Sequence, residues 1–234
     1  MRLVAGVYQI RLPFPEDIPD YTNVYVIEGE KGNILIDSGW DWPGALWAFR
    51  KGMKNDSLRF QDIKWIVITH THPDHYGLAG KLKDLCGASI AMHRVEAELM
   101  NTRYETSAAL LNKMSEELKK NGVPQDELTD IRDASLWMQE FISSCQPDII
   151  LDEDDKISNG TFEFDVLRTP GHSRGHTCLY EPDKKWLFSG DHILFETVPH
   201  IGLHPQSGDN PLDEYIKSLK ILQTKKVQFC IIIL

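Results

Sequence analysis

Between the apolar run Lys64-Trp65-Ile66-Val67-Ile68-Thr69 and the helical pattern of Leu78–Leu85 lies the segment His70-Thr71-His72-Pro73-Asp74-His75-Tyr76-Gly77. The apolar run has the length of a buried strand, and Gly87 stops the pattern that follows. The segment is therefore a strand-to-helix loop, the place where open α/β folds hold ligands. Three histidines and one aspartate fall within six residues. Imidazole nitrogen and carboxylate oxygen are the ligand set of Zn²⁺ and related borderline cations. In extended backbone, residues two apart point the same way, so His70 and His72 can grip one ion together. Asp74 and His75 lie past Pro73, where the chain turns toward the helix, and face a second position.

The flanking sequence fits this placement. Val4–Leu12, Asn23–Glu28, Asn33–Asp37 and Ala88–Met92 read as strands, and Trp42–Lys54 has helical spacing in its bulky residues. Alternation of strands and helices predicts an α/β architecture. From Arg94 to about Lys120 the residues are helix formers, and a second helical stretch runs from Pro124 to about Ser144. These two stretches predict an inserted helical pair at about 94–148 within one domain spanning 1–234. Strands return at Thr161–Leu167, Thr177–Tyr180 and Lys185–Phe188, followed by a helix over Leu212–Leu222. The last residues, Val227–Leu234, read as a buried strand with nothing after it, the pattern of a domain whose C-terminal end is missing.

One loop supplies too few ligands for a metal, so others are expected downstream. Thr169-Pro170-Gly171-His172-Ser173-Arg174-Gly175-His176 follows a strand and is rich in turn residues, making His172 a candidate ligand. His176 begins the next strand and reads as a hydrogen-bonding core histidine. Phe188-Ser189-Gly190-Asp191-His192 ends a third strand and offers Asp191; His192, its neighbour, points to the opposite face. Both loops must reach one site, so Thr69 and Thr169 are expected to end neighbouring strands.

Composition narrows the partners. The 234 residues carry 35 acidic and 25 basic side chains, a net charge of −10. That charge repels polyanions, and no basic stretch with interleaved aromatics is present, so nucleic acid is not the expected partner. No apolar run reaches the roughly 18 residues of a membrane span, and the N-terminus lacks the long apolar core of an export signal. The cysteines, Cys86, Cys145, Cys178 and Cys230, are scattered and form no C-x-x-C pair. A soluble cytoplasmic protein acting on a small-molecule substrate is expected.

The pattern H-x-H-x-D-H, a later glycine-histidine loop and Ser-Gly-Asp at a strand end together resemble the metallo-β-lactamase superfamily. The resemblance covers most of the chain outside about 94–148. It implies a four-layer αββα sandwich carrying up to two zinc ions, with iron or manganese as alternatives. By resemblance, His70, His72 and His172 bind the first metal, Asp74 and His75 the second, and Asp191 bridges them. Leu35-Ile36-Asp37-Ser38-Gly39 resembles the strand end whose carboxylate supports the site from behind. The family's final histidine, from a loop after the last core strand, has no counterpart, so the second site is expected to be one ligand short. His200 and His204 read as loop or pocket residues, and Tyr76 as a packing or substrate-donor residue.

An open metal position lowers the pKa of bound water and makes hydroxide the nucleophile, and Asp74 can orient it. The resemblance implies a hydrolase of small esters, thioesters or lactones, as in the hydroxyacylglutathione hydrolase-like branch. A phosphodiesterase or nuclease of the same superfamily and a non-catalytic binding member are the alternatives.

Overall fold

The computed structural model describes residues 1–15, 20–103 and 108–233. Strands β1 (Arg2–Val4) and β2 (Val7–Pro13) form a hairpin, extended antiparallel by β3 (Tyr21–Ile27) and β4 (Asn33–Ile36). The single strand expected from Val4 is interrupted because Gly6, at φ +80°, turns the chain. Helix α1 (Pro43–Asn55) begins with a proline, whose missing N–H is one that a first turn leaves unpaired anyway. It buries Ala45, Phe49 and Met53 at four-residue spacing. Next come β5 (Ile63–Ile68), the one-turn α2 (Pro73–Tyr76), α3 (Ala79–Cys86) and β6 (Ser89–His93).

Gly87 closes α3 in the left-handed conformation at φ +69°, its N–H bonded to Lys83 O at 2.8 Å. A methyl group there would meet nothing within 4 Å, so Gly87→Ala isolates the backbone cost. It is expected to destabilise the fold by about 1 kcal/mol, read from the denaturation midpoint.

The middle of the chain contains α4 (Arg94–Arg103), α5 (Ala108–Lys120) and α6 (Gln125–Gln139). The helical stretch expected from Arg94 to Lys120 passes through residues 104–107, which lie outside the described residues. The second stretch ends at Gln139 rather than Ser144, because the residues beyond it bond to other backbone. Phe141 O accepts Asp41 N–H at 2.8 Å, and Ser143 N–H donates to Gly77 O at 2.7 Å. Strand β7 (Ile149–Leu151) then joins the parallel run β4-β5-β6-β7 and completes a seven-stranded sheet in chain order.

The second sheet has five strands. It is built from β8 (Lys156–Ser158), β9 (Glu163–Arg168), β10 (Thr177–Glu181) and β11 (Trp186–Phe188) as an antiparallel meander. Helix α7 (Pro211–Gln223) crosses over to β12 (Phe229–Ile231), which lies parallel to β11.

Side-chain alternation sorts the chain into four layers. On β4, Ile34 and Ile36 face the second sheet, where they join Phe164, Val166, Leu179 and Phe188. Leu35, between them, faces outward and packs with Phe49, Met53 and Leu82 from α1 and α3. On the far side, Leu222 of α7 covers Leu167, Cys178, Tyr180 and Leu187. The result is the αββα sandwich. The expectation that Thr69 and Thr169 end neighbouring strands needs correction. Thr69 follows β5 in one sheet and Thr169 follows β9 in the other, and they meet across the sheet interface, where Thr177 N–H donates to Thr69 O at 3.0 Å. No helix among the described residues is long and apolar enough to cross a membrane.

Candidate metal centre

The loops after β4, β5, β9 and β11 leave their strands at the same rim of the sandwich, and all six expected ligands stand on three of them. Three nitrogens converge: His70 Nε2 lies 2.9 Å from His72 Nδ1, and His172 Nε2 lies 3.2 Å and 3.0 Å from them. A second group of ligand atoms comprises His70, His75 and Asp191. His75 Nε2 stands 3.2 Å from Asp191 Oδ1 and 3.4 Å from Asp74 Oδ2. The other oxygen of Asp191, Oδ2, lies 3.5 Å from His172 Nε2. Asp191 therefore turns one oxygen toward each group.

The far side of each ring fixes which nitrogen carries a proton. Asp37, fully buried at φ +58°, accepts Thr69 N–H through Oδ1 and the Thr69 hydroxyl through Oδ2, both at 2.8 Å. The hydroxyl proton is thereby committed, so Thr69 Oγ1 must accept from His70 Nδ1 at 3.1 Å. Asp37 Oδ2 also accepts from His75 Nδ1 at 2.8 Å, and His200 O accepts from His172 Nδ1 at 2.9 Å. His70 and His172 are therefore held as Nδ1–H tautomers with Nε2 lone pairs aimed into the centre, and His75 has its Nδ1 proton fixed on Asp37 with Nε2 turned toward the same centre.

The Nε2 lone pairs of His70 and His172 face each other at 3.2 Å and repel unless a cation lies between them. Tetrahedral zinc with bonds of about 2.0–2.1 Å spaces its ligands about 3.3–3.4 Å apart, close to the spacing found here. Among the described residues, His75 Nε2 and Asp191 Oδ1 are buried without a hydrogen-bond partner although they face each other. The donor set fits a divalent ion.

Electrostatics agree. Burial opposes charge on His75, yet Asp191, Asp74 and Asp37 outweigh it and raise its pKa well above the ordinary value. Those carboxylates call for positive charge at the spot a cation would fill. Burial first, and then the neighbouring histidines, push His70 well below its ordinary pKa, so it stays a neutral ligand. Burial likewise lowers His172.

The other histidines divide as their strands place them. His176 is buried; its Nε2 accepts Asp191 N–H at 3.0 Å and its Nδ1 bonds to Thr169 Oγ1 at 2.8 Å. It thus supports the backbone of Asp191 as a hydrogen-bonding core residue. His192 packs against Tyr215 with ring centres 4.6 Å apart, and burial pushes its pKa down to about 4. His200 contributes its backbone carbonyl, and neither His200 nor His204 enters either ligand group among the described residues. The Tyr76 hydroxyl is held by the Cys145 backbone, donating to its carbonyl at 2.5 Å and accepting its N–H at 2.6 Å. That leaves Tyr76 a packing residue rather than a substrate donor.

Sequence reasoning missed Thr69, the hydroxyl relay between Asp37 and His70, and Glu96, a fully buried carboxylate on α4 bonded to Thr71 and Ser173. An alternation of Thr and His reads as a strand end, and a Glu near a helix start reads as solvated. Neither carried a local signal of its task.

A buried cluster of imidazoles and carboxylates at the rim of an αββα sandwich defines a class of metal-dependent enzymes. The sequence model of the metallo-beta-lactamase superfamily matches residues 17–231, and the chain belongs to that superfamily. Among its relatives is the acyl-coenzyme A thioesterase MBLAC2 of Homo sapiens, 28% identical over 206 residues, spanning 83% of this chain and 67% of that protein. The hydroxyacylglutathione hydrolase GloC of Haemophilus influenzae is 27% identical over 170 residues, spanning 72% of this chain and 64% of that one. The crystal structure of a metallo-beta-lactamase family protein from Thermus thermophilus superposes with a TM-score of 0.86 at 27% identity, over 99% of this chain and 74% of that chain.

Proposed function

We propose that the chain is a hydrolase of a small ester, thioester or lactone, with His70, His72 and His172 holding one divalent ion and Asp74, His75 and Asp191 a second. The observation that carries this reading is the convergence of imidazole nitrogens and carboxylate oxygens on two adjacent points, with Asp191 turned toward both. The single Nε2 lone pair of His70 can serve only one ion, and its 2.9 Å approach to His72 assigns it to the first group. Zinc suits imidazole and carboxylate ligands at this spacing, with iron or manganese as alternative occupants.

A bound divalent ion lowers the pKa of water toward neutrality and polarises a substrate oxygen. The chain's own groups do the rest. Asp74, with a side chain 16% exposed, stands on the open side of His75, where its carboxylate can orient water and take its proton. Asp37 and His200 O keep His75 and His172 in one tautomer, so no ring has to reorganise during turnover.

A groove of about 1000 Å³ opens beside Asp74, lined by residues including Phe14, Tyr21, Leu194, Phe195 and Phe229. These apolar members offer contact area to an acyl group, beside the charged Arg11, Asp20 and Glu196 of the same lining. The named activities of the thioesterase and hydroxyacylglutathione hydrolase relatives point to the same bond type. The buried, unbridged thiols of Cys86 and Cys178 suit a reducing cytoplasm. The segment 94–148 is read as an insertion within a single domain.

The test is a panel of thioester, lactone, phosphodiester and β-lactam substrates offered to the metal-loaded protein. Thioester or lactone turnover is expected, lost on chelation and restored by added zinc. Turnover confined to the phosphodiester, or turnover that survives chelation, would overturn the proposal.

A further inference from the structure

Glu96 stands in the first turn of α4 with its side chain fully enclosed. Its Oε2 accepts Thr71 N–H at 2.9 Å and the Thr71 hydroxyl at 2.7 Å. Its Oε1 accepts Gly175 N–H at 2.9 Å and the Ser173 hydroxyl. Thr71 lies between His70 and His72, and Ser173 follows His172. One carboxylate thus joins the loop after β5, in one sheet, to the loop after β9, in the other.

We infer that Glu96 is a positioning residue whose carboxylate locks the His72 and His172 loops in register and so sets the geometry of the first ion's site. This inference rests on the metal reading proposed above and extends it to a residue that touches neither ion nor substrate.

Two features support it beyond the bonds themselves. Burying a carboxylate is costly unless donors surround it, and here both oxygens are met by donors from two separate loops. An apolar side chain in its place would leave the N–H groups of Thr71 and Gly175 buried without an acceptor, so the carboxylate ties the two loops together. Second, Gly175 is seated directly on α4. A Cβ on Gly175 would lie 2.6 Å from Glu96 N and 2.9 Å from Val95 Cβ, so the loop approaches as closely as backbone allows. The carboxylate therefore fixes position as well as satisfying polar groups.

The two supports of the centre divide the work. Asp37 reaches His75 directly and His70 through Thr69. Glu96 holds the loops of His72 and His172, whose ligand nitrogens stand 3.0 Å apart. Removing Glu96 should therefore act on the His70–His72–His172 site more than on the site containing His75.

Glu96→Gln keeps the volume and removes one acceptor. Thr71 and Gly175 each present a backbone N–H, which cannot turn round to accept from an amide, so one loop is released. Ser173→Ala deletes a single bond and leaves the carboxylate in place. Zinc affinity of the full chain is measured by competition with a chromophoric chelator, with circular dichroism and thermal unfolding on each variant. Gly87→Ala, which strains the fold away from the centre, serves as the reference for a purely structural loss.

Glu96→Gln is expected to weaken the tighter zinc equivalent by about 10–100-fold, and Ser173→Ala by less, with zinc affinity unchanged in Gly87→Ala. Wild-type affinity in Glu96→Gln, or a loss no larger than that of Gly87→Ala, would overturn the inference. Should Glu96→Gln fail to fold, Ser173→Ala decides, and unchanged affinity there overturns it. A wild-type chain that takes up no zinc, iron or manganese would instead overturn the metal reading.

Discussion

His72→Ala is expected to remove hydrolysis to the extent of a hundredfold or more and to lower bound metal while leaving the fold intact. Loss of a residue that merely orients a ligand costs about 10–100-fold in metal affinity or activity, and loss of a ligand should exceed that. His72 gives the cleanest result of the three because of where it sits. It caps the one-turn α2 through its backbone at φ −71° and ψ 151°, and that role survives truncation of the side chain. His70 is fully buried and tied to Thr69 and Asp37, so removing it would disturb the core as well. The imidazole of His72 reaches the centre through Nδ1, at 2.9 Å from His70 and 3.0 Å from His172. Metal content by elemental analysis, far-ultraviolet dichroism and turnover of the best panel substrate are read together. Full activity with full metal content would show that His72 is not a ligand.

The centre was legible where chemistry and local sequence coincide. Four ligand-type residues stand within the six positions His70 to His75, so their spacing alone points to a candidate cation site. His172 and Asp191 were legible because each follows an apolar strand, and strand ends at one rim converge. The layers were legible too: Ile34–Ile36 and Trp65–Ile68 are apolar on both faces because helices cover one side and the second sheet the other. What escaped depends on contacts distant in sequence. The turn at Ala5-Gly6 hides in a continuous alternation. The end of α6 at Gln139 is set by bonds from Phe141 and Ser143 to Asp41 and Gly77, which no helical periodicity encodes. Thr69 and Thr169, expected to end neighbouring strands, belong to different sheets, since sequence shows that two loops must meet but not across which interface. Glu96 was invisible for the same reason, because a carboxylate's burial is decided by two loops that come from elsewhere.

Phe188→Ala is expected to cost about 3–5 kcal/mol, the range for emptying a buried aromatic site. The ring is fully buried between the sheets, edge-on to Tyr25 at 5.5 Å and to Phe164 at 5.8 Å. Strands on both sides of the cavity are hydrogen-bonded into their sheets and cannot collapse into it, which places the loss at the upper part of that range. For a chain of this length the thermal midpoint should fall by roughly 6–20 °C. Denaturant titration of the metal-free protein measures it, and a loss below about 1 kcal/mol would mean that the sheets repack around the void. The same variant asks how far the core holds the centre. Phe188 ends β11, and Ser189 N–H donates to Ile231 O at 3.1 Å before the chain reaches Asp191. Zinc at about a hundred times its dissociation constant stabilises a folded chain by about 2.7 kcal/mol. If that increment is the same in Phe188→Ala as in the wild type, core and centre are energetically separate. A smaller increment in the variant would show that Asp191 is held in place by the packing behind it.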